Sequence, residues 1–177
     1  MNAREAAALV LIAASAWPAS SAPAPVRLVV AVSASQSVGN LSSADLRRIY
    51  VGDMTRWPDG HRILPVMPPA RSQESEVFLK HVVRMSPIDF AQQWIGVVFR
   101  GRAPAPPKVV ATANEALDFV AAHPDAIAIV PFDASPGALR STPTGDSSQT
   151  RSDRHAGVRI INIDGRPPRS TEYPLNW

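Results

Sequence analysis

Cysteine is absent from the 177-residue sequence, and lysine is nearly absent. The lack of cysteine excludes disulfides, thiol catalysis, Cys-ligated zinc sites and iron–sulfur clusters. A chain of this length can nevertheless bury enough apolar surface to fold without disulfides, even outside the cytoplasm. Because Lys80 and Lys108 are the only lysines, arginine supplies almost all of the positive charge.

The charge balance is mildly basic, with a formal net charge of +3. A positive balance favours anionic ligands or surfaces, although Arg-, Ala- and Pro-rich usage can also reflect genomic composition. The arginines are scattered, and aromatic residues make up only 6% of the sequence. A basic stripe interleaved with aromatic side chains, as nucleic-acid binding requires, is missing. We therefore expect no nucleic-acid partner.

The sequence also lacks an apolar run long enough to span a bilayer, which takes about 20 residues. Near the N-terminus, a shorter apolar run at residues 6–14 is followed by a small-residue cleavage pattern at residues 20–22 (SSA). This arrangement predicts a signal peptide over residues 1–22. It also predicts a periplasmic or otherwise extracytoplasmic domain over residues 23–177, with no transmembrane span after cleavage. The ASA at residues 14–16 is a competing cleavage site, and a buried N-terminal helix is the alternative interpretation.

Strand-like and helix-like segments alternate along the rest of the chain. The predicted strands are short and rich in Val and Ile, and they occupy residues 26–33, 62–67, 126–130 and 157–164. Each predicted helix begins at a hydroxyl residue that can cap its first turn, namely Ser42, Ser72, Ser86 or Thr112. Strands that alternate with helices are typical of an α/β layered domain.

Two segments carry more specific expectations. The helix predicted over residues 86–98 repeats apolar residues at helical spacing. We expect it to face the core with Ile88, Ala91, Trp94, Ile95 and Val98. Residues 133–156 show no periodicity and are rich in Ser, Thr, Pro, Gly and Arg. This composition predicts a flexible insertion or long loop.

The loop at residues 70–75 (ARSQES) is the best candidate for a binding site. It follows a predicted strand and opens a predicted helix, where free backbone amides and the helix dipole favour an anion. Arg71 could contact an oxyanion with two hydrogen bonds, and the hydroxyls of Ser72 and Ser75 could donate to it. The alternative is that Ser72 only caps the helix, and that the glutamates of the first turn only complement the dipole.

Patterns for catalysis, metals and cofactors are missing from the sequence. The four histidines are scattered without the i, i+4 spacing of a helical metal site. A Gly-x-Ser-x-Gly elbow, a Ser-x-x-Lys pair and a Walker loop are missing as well. Asp53 and Asp59 could be considered a carboxylate pair, but turn formation explains their loop positions better. We therefore predict no cofactor, no metal and no enzymatic activity.

Residues 41–130 carry several motifs in a characteristic order. They read LSSADLRRIYVGDMTRWPDGHRILPV, then ARSQESEVFLKHVVRMSPIDFAQQWIGVVFRG, then ATANEALDFVAAHPDAIAIV. This part of the sequence resembles the phosphate-binding, PstS-like branch of the type 2 periplasmic binding proteins. Proteins of that branch commonly carry a run like LS…L…I(F/Y)xGxxxxWxDG, an Arg-led anion loop that opens a helix, and a strand like pGAIGYV.

The resemblance implies one lobe of that fold, with a central, mostly parallel sheet flanked by helices. It implies that Arg71 corresponds to the arginine of the anion loop, and that Ser75 falls near its serine. Complete members have two lobes and hold the ligand between them, so we expect the first lobe to be largely absent here. The loop also departs from the family's xDGSGT pattern, because Gly and Thr are missing. Glu76 stands where small residues would let the backbone approach an anion.

Two functions are consistent with the resemblance. The first is an exported, non-catalytic accessory protein linked to transport that binds phosphate or another small oxyanion weakly. Its further partner would be an envelope protein or a transporter component. The second is an envelope protein-interaction or structural module that has lost its ligand. The departures in the anion loop favour the second, as does Ala128-Ile129 where the family has Gly-Tyr.

Overall fold

The computed structural model describes residues 25–135 and 157–177. The predicted signal peptide over residues 1–22 lies outside this part of the chain. The predicted insertion at 133–156 lies outside it too, apart from its first three residues. Those three continue a short 3-10 turn at Phe132–Ala134 and end at a buried Ser135. Within residues 25–135 and 157–177, no helix has the length and apolarity that a membrane crossing needs.

A five-stranded sheet forms the centre of the domain. Its strands are β1 (Leu28–Ser33), β3 (Leu64–Met67), β4 (Lys108–Val109), β5 (Ala126–Pro131) and β6 (Val158–Ile160), in the order β4-β3-β5-β1-β6. Strand β3 pairs in parallel with β4 and β5, whereas β1 is antiparallel to β5 and β6. Only β1 therefore runs against the other four. The predicted α/β lobe with a mostly parallel sheet is confirmed.

The strand predicted over residues 157–164 is two strands. The first part, β6, joins the main sheet, and the second part, β7 (Asn162–Ile163), pairs in parallel with β2 (Asn40–Leu41). Buried Ile161 lies at the break, and its amide donates to the carbonyl of Val30 at 3.0 Å. Periodicity did not predict β2 or β4, because two-residue strands are too short to show alternation.

Four helices surround the sheet. They are α1 (Ser43–Tyr50), α2 (Gln73–Phe78), α3 (Pro87–Phe99) and α4 (Ala113–Ala122), and a π-helical turn at Leu79–Val83 extends α2. Each α-helix has the hydroxyl cap that the sequence predicts. The side-chain oxygens of Ser42, Ser72, Ser86 and Thr112 each accept a backbone N–H three residues later. Such caps contribute about 1 kcal/mol each.

Helix α3 packs with a different face from the one predicted. Trp94 and Val97 are buried, whereas Ile88 and Ile95 are both 70% exposed. The indole N–H of Trp94 donates to the carbonyl of Tyr50 at 2.8 Å, and this bond to the end of α1 orients the helix. The prediction is therefore correct at Trp94, whereas it is wrong at Ile88, Ala91 and Ile95, all of which are exposed.

Both tyrosines are buried, and the hydroxyl of each lies within hydrogen-bond distance of backbone carbonyls. The Tyr50 hydroxyl lies 3.0 Å from the carbonyl of Val66 and 3.3 Å from that of Ile127, and the Tyr173 hydroxyl donates to the carbonyl of Ile161 at 3.2 Å. Burial raises the pKa of each phenol above its ordinary value of 10.0. The neutral form is therefore the one that the fold accommodates.

We expect the free energy of unfolding to decrease as the pH rises above the ordinary tyrosine pKa. An unfolded phenol ionises near pH 10, whereas the folded one stays protonated to a higher pH. Each tyrosine then contributes a slope of up to about 1.4 kcal/mol per pH unit. Urea unfolding at successive pH values should show this loss, and Tyr50→Phe or Tyr173→Phe should each remove about half of it. An unchanged slope in both variants would contradict the assignment.

Candidate functional site

The predicted anion loop lies at the carboxyl end of β3. The strand ends at Met67, the chain turns through residues 68–71, and α2 begins after its cap Ser72. In open α/β sheets, ligands bind in the crevice outside the carboxyl ends of the strands. The fold therefore places the loop where a ligand is most easily held.

Arg71 occupies an unusual backbone position in this loop. Its φ of 64° is left-handed, a conformation that costs a non-glycine residue roughly 1–2 kcal/mol. The side chain is exposed, and its guanidinium makes no hydrogen bond or ion pair with another residue of the described chain. Such strain in a loop is often retained where the side chain is used.

Ser72 performs the capping role that was the alternative interpretation. Its hydroxyl oxygen accepts the amide of Ser75 at 3.1 Å, and its carbonyl accepts the amide of Glu76 at 3.0 Å. The amide of Ser72 donates in turn to the carbonyl of Pro69 at 3.1 Å. The geometry of this residue is thus accounted for by helix capping, and its role in ligand binding stays a prediction.

Ser75 and the two nearby glutamates determine the electrostatics of the loop. Ser75 is only 6% exposed, and its hydroxyl has no hydrogen-bond partner among residues 25–135 and 157–177. Glu74 and Glu76 both lie in the first turn of α2. Carboxylates at this end stabilise the helix, but they oppose a second anion. The loop therefore offers one guanidinium and one hydroxyl against two negative charges.

A groove of about 850 Å³ lies beside the loop. Its polar lining consists of Arg71, Ser75 and Glu76, and Ser72 does not line it. The rest of the lining is mostly apolar and includes Met67, Leu79, Phe90, Trp94, Ile95, Phe99 and Val109. The structure thus brings Arg71 and Ser75 to one surface and leaves Ser72 in the cap.

The groove was not predicted from the sequence. It needs β4, which was too short to recognise, and the outward face of α3, which was predicted to be inside. One signal was available: Asp89 is the only charged residue in α3, so the helix has no charged face to direct toward solvent.

The turn at residues 57–60 is structural. Trp57 is 2% exposed, and its indole N–H donates to the carbonyl of Asp125 at 3.1 Å. Gly60 has a φ of +88°, as the turn requires. Asp59 accepts the amide of His61 at 2.9 Å, which is the local role expected for a turn aspartate.

Asp53, the other member of the carboxylate pair considered above, is 3.4 Å from the guanidinium of Arg102. Among residues 25–135 and 157–177, no three His, Cys, Asp or Glu side chains are grouped so that they could hold a metal.

Solved structures of phosphate receptors share this fold. An ABC-type phosphate transport receptor from Vibrio cholerae superimposes with a TM-score of 0.58 at 18% identity, over 86% of this chain and 54% of its own. PstS from Borrelia burgdorferi gives a TM-score of 0.61 at 11% identity, over 86% of this chain and 55% of its own. A third similar structure, from Clostridium perfringens, is described as a phosphate ABC transporter substrate-binding protein with bound phosphate. It gives a TM-score of 0.55 at 14% identity, over 81% of this chain and 47% of its own.

The chain therefore has a PstS-like periplasmic binding protein fold, and it spans about half the length of these structures. Identities this low establish the fold and not the ligand. No protein-family model matches the sequence, and no curated protein matches it either.

Proposed function

We propose that the protein is an exported, non-catalytic solute-binding domain that binds phosphate or another small oxyanion weakly, as an accessory to transport. The observation that carries the proposal is the position of the Arg71 guanidinium. This group is exposed and has no partner in the described chain, and it lies at the carboxyl end of a strand in a fold shared with phosphate receptors. Guanidinium groups bind tetrahedral oxyanions well because their donors match two oxygens.

The binding should be weak because the loop has few donors. Arg71 and Ser75 are the donors that line the groove, and each charge-assisted hydrogen bond is worth roughly 1.5–3 kcal/mol. Two such bonds correspond to a dissociation constant of about 1 mM. Glu76 lines the same groove and opposes the anion, so a tighter complex is not expected from this lobe alone.

Titration calorimetry with phosphate and with sulfate tests this proposal. We expect a dissociation constant of about 1 mM for the wild type and no measurable binding for Arg71→Ala. Arg84→Ala is the matched control, because Arg84 is also exposed and left-handed, with a φ of 59°. Arg56→Ala, on the turn before β3, is a second control. Equal binding by the wild type and Arg71→Ala would show that the loop is only a helix cap, and micromolar binding would show that the lobe is more complete than proposed.

Export is tested on protein purified from its native envelope. We expect mass spectrometry to find a mature chain that begins near Pro23, because residues 20–22 form a small-residue cleavage pattern. An intact Met1 in the cytosolic fraction would contradict export. A cut after residue 16 would support export but move the cleavage site.

The second candidate function is an envelope protein-interaction or structural module without a ligand. The observation that favours it is the mostly apolar lining of the groove, which suits a protein surface better than a bare anion. Calorimetry separates the two, since the module gives no heat with phosphate or sulfate. In either case, we expect phosphate-ester turnover at background, with and without added divalent metal.

A further inference from the structure

Helix α3 is apolar on two opposite faces. One face is buried through Trp94 and Val97. The other exposes Ile88 and Ile95 at 70% each and Phe99 at 92%. The polar residues of the helix, Asp89, Gln92 and Gln93, lie on one flank between these two faces. Solvent-exposed aromatic and aliphatic side chains in one patch mark interaction sites. The outer face of α3 is therefore expected to be covered by another surface.

The three exposed residues Ile88, Ile95 and Phe99 form a single line, which we name the α3 stripe. Ile88 and Phe99 are eleven residues apart, or about three helical turns, and Ile95 lies seven residues after Ile88, about two turns. Asp89 is the only charge in the helix, and Arg100 follows directly after it. These two are also eleven residues apart, so the opposite charges lie on one flank of the stripe at its two ends.

We propose that the α3 stripe is the centre of a symmetric homodimer, in which α3 packs antiparallel against α3 of a second copy. A two-fold axis near the middle of the helix places Ile88 opposite Phe99 of the second copy. The same axis places Asp89 beside Arg100 of the second copy, and the reverse pair forms as well. Symmetric interfaces need this reciprocity, because residue i meets j wherever j meets i.

The charge pattern favours a second copy over an unrelated partner. A face that packs on itself must not carry net charge of one sign, and the ends of the α3 stripe carry one anion and one cation. Arg100 has no ion-pair partner within the described chain, and the carboxylate of Asp89 is bonded only to the neighbouring Ser86 hydroxyl. Antiparallel packing also places the N-terminal end of each helix dipole beside the C-terminal end of the other.

The groove described above extends the contact. Ile95 and Phe99 of the stripe line it, and so does Val109, which is 54% exposed.

Sedimentation equilibrium and light scattering on the purified protein test this inference. We expect a dimer in the wild type and a rise of at least about thirty-fold in its dissociation constant for Phe99→Asp, because the variant places a charge against Ile88 of the second copy. Ile95→Asp should act similarly. Thr171→Asp adds the same charge at an exposed residue that does not line the groove, and it should leave the dimer unchanged.

A charge swap tests the antiparallel arrangement itself. Asp89→Arg and Arg100→Asp should each weaken the dimer about tenfold, and the double variant should recover most of the loss. Circular dichroism of each variant verifies that the monomer remains folded, since Asp89 also bonds the cap residue Ser86. A wild type that stays monomeric at all accessible concentrations would overturn the homodimer, as would a dimer that Phe99→Asp leaves intact. Because the readout is oligomeric state, the result does not depend on whether Arg71 binds an anion.

Discussion

Replacing Trp94 with alanine is expected to lower the free energy of unfolding by about 3–5 kcal/mol, as large-to-small substitutions of buried aromatic residues do. Trp94 is 3% exposed and fills the space between α3 and the end of α1. Its indole N–H also donates a hydrogen bond of 2.8 Å to the carbonyl of Tyr50. The substitution therefore removes both apolar contact and a bond that orients α3. Urea unfolding followed by far-ultraviolet circular dichroism gives the measurement.

Trp94→Phe is the matched control for this result. It keeps one buried aromatic ring but loses the indole N–H and part of the ring volume, so we expect a smaller loss of about 1–3 kcal/mol. The difference between the two variants then reports the packing of the ring that phenylalanine retains. A Trp94→Ala protein within about 1 kcal/mol of the wild type would show that α3 is not anchored through this side chain.

The helix starts could be predicted because they depend on neighbouring residues alone. Ser42, Ser86 and Thr112 each cap a helix by accepting an amide three positions later, and such a bond needs nothing from the rest of the fold. The same holds for the turn that ends at Gly60. These features were correct in position and in physical cause.

The orientation of α3 could not be predicted, since both of its faces are apolar and periodicity gives no preference between them. The buried face of α3 is determined by residues that are distant in the sequence. The carbonyl of Tyr50 accepts the indole N–H of Trp94, and the absence of a side chain at Gly52 leaves space for Val97. The prediction that Ile88 and Ile95 are inside failed for this reason. If the homodimer forms, both are covered after all, but by a second chain.

The candidate site was predictable in its loop and not in its surroundings. A strand followed by Arg71 and a capping serine indicates an anion loop locally. The groove beside it depends on the two-residue strand β4 and on which way α3 faces. Those are tertiary properties, so the sequence indicated a small polar site where the structure has Arg71, Ser75 and Glu76 on an otherwise mostly apolar surface.

Gly52→Ala is expected to destabilise the protein by about 2–5 kcal/mol through two separate effects. The φ of Gly52 is +79°, so any side chain costs roughly 1–2 kcal/mol in backbone strain. A Cβ atom would also lie 2.8 and 2.9 Å from the two Cγ atoms of Val97 and 3.4 Å from the indole of Trp94. Overpacking of this kind costs roughly 1–3 kcal/mol more. Thermal unfolding should show a fall in Tm of about 10 °C.

Two comparisons separate the strain from the clash. Gly60 also has a positive φ, +88°, but a Cβ there meets no described atom within 4 Å, so Gly60→Ala should show the strain alone. Val97→Ala removes both Cγ atoms, so adding Gly52→Ala to that variant should cost about 1–3 kcal/mol less than adding it to the wild type. Strict additivity of the two substitutions would mean that Val97 moves aside at no cost. The α1–α3 junction would then be looser than its contacts indicate, and it could not hold the α3 stripe in place for a second copy.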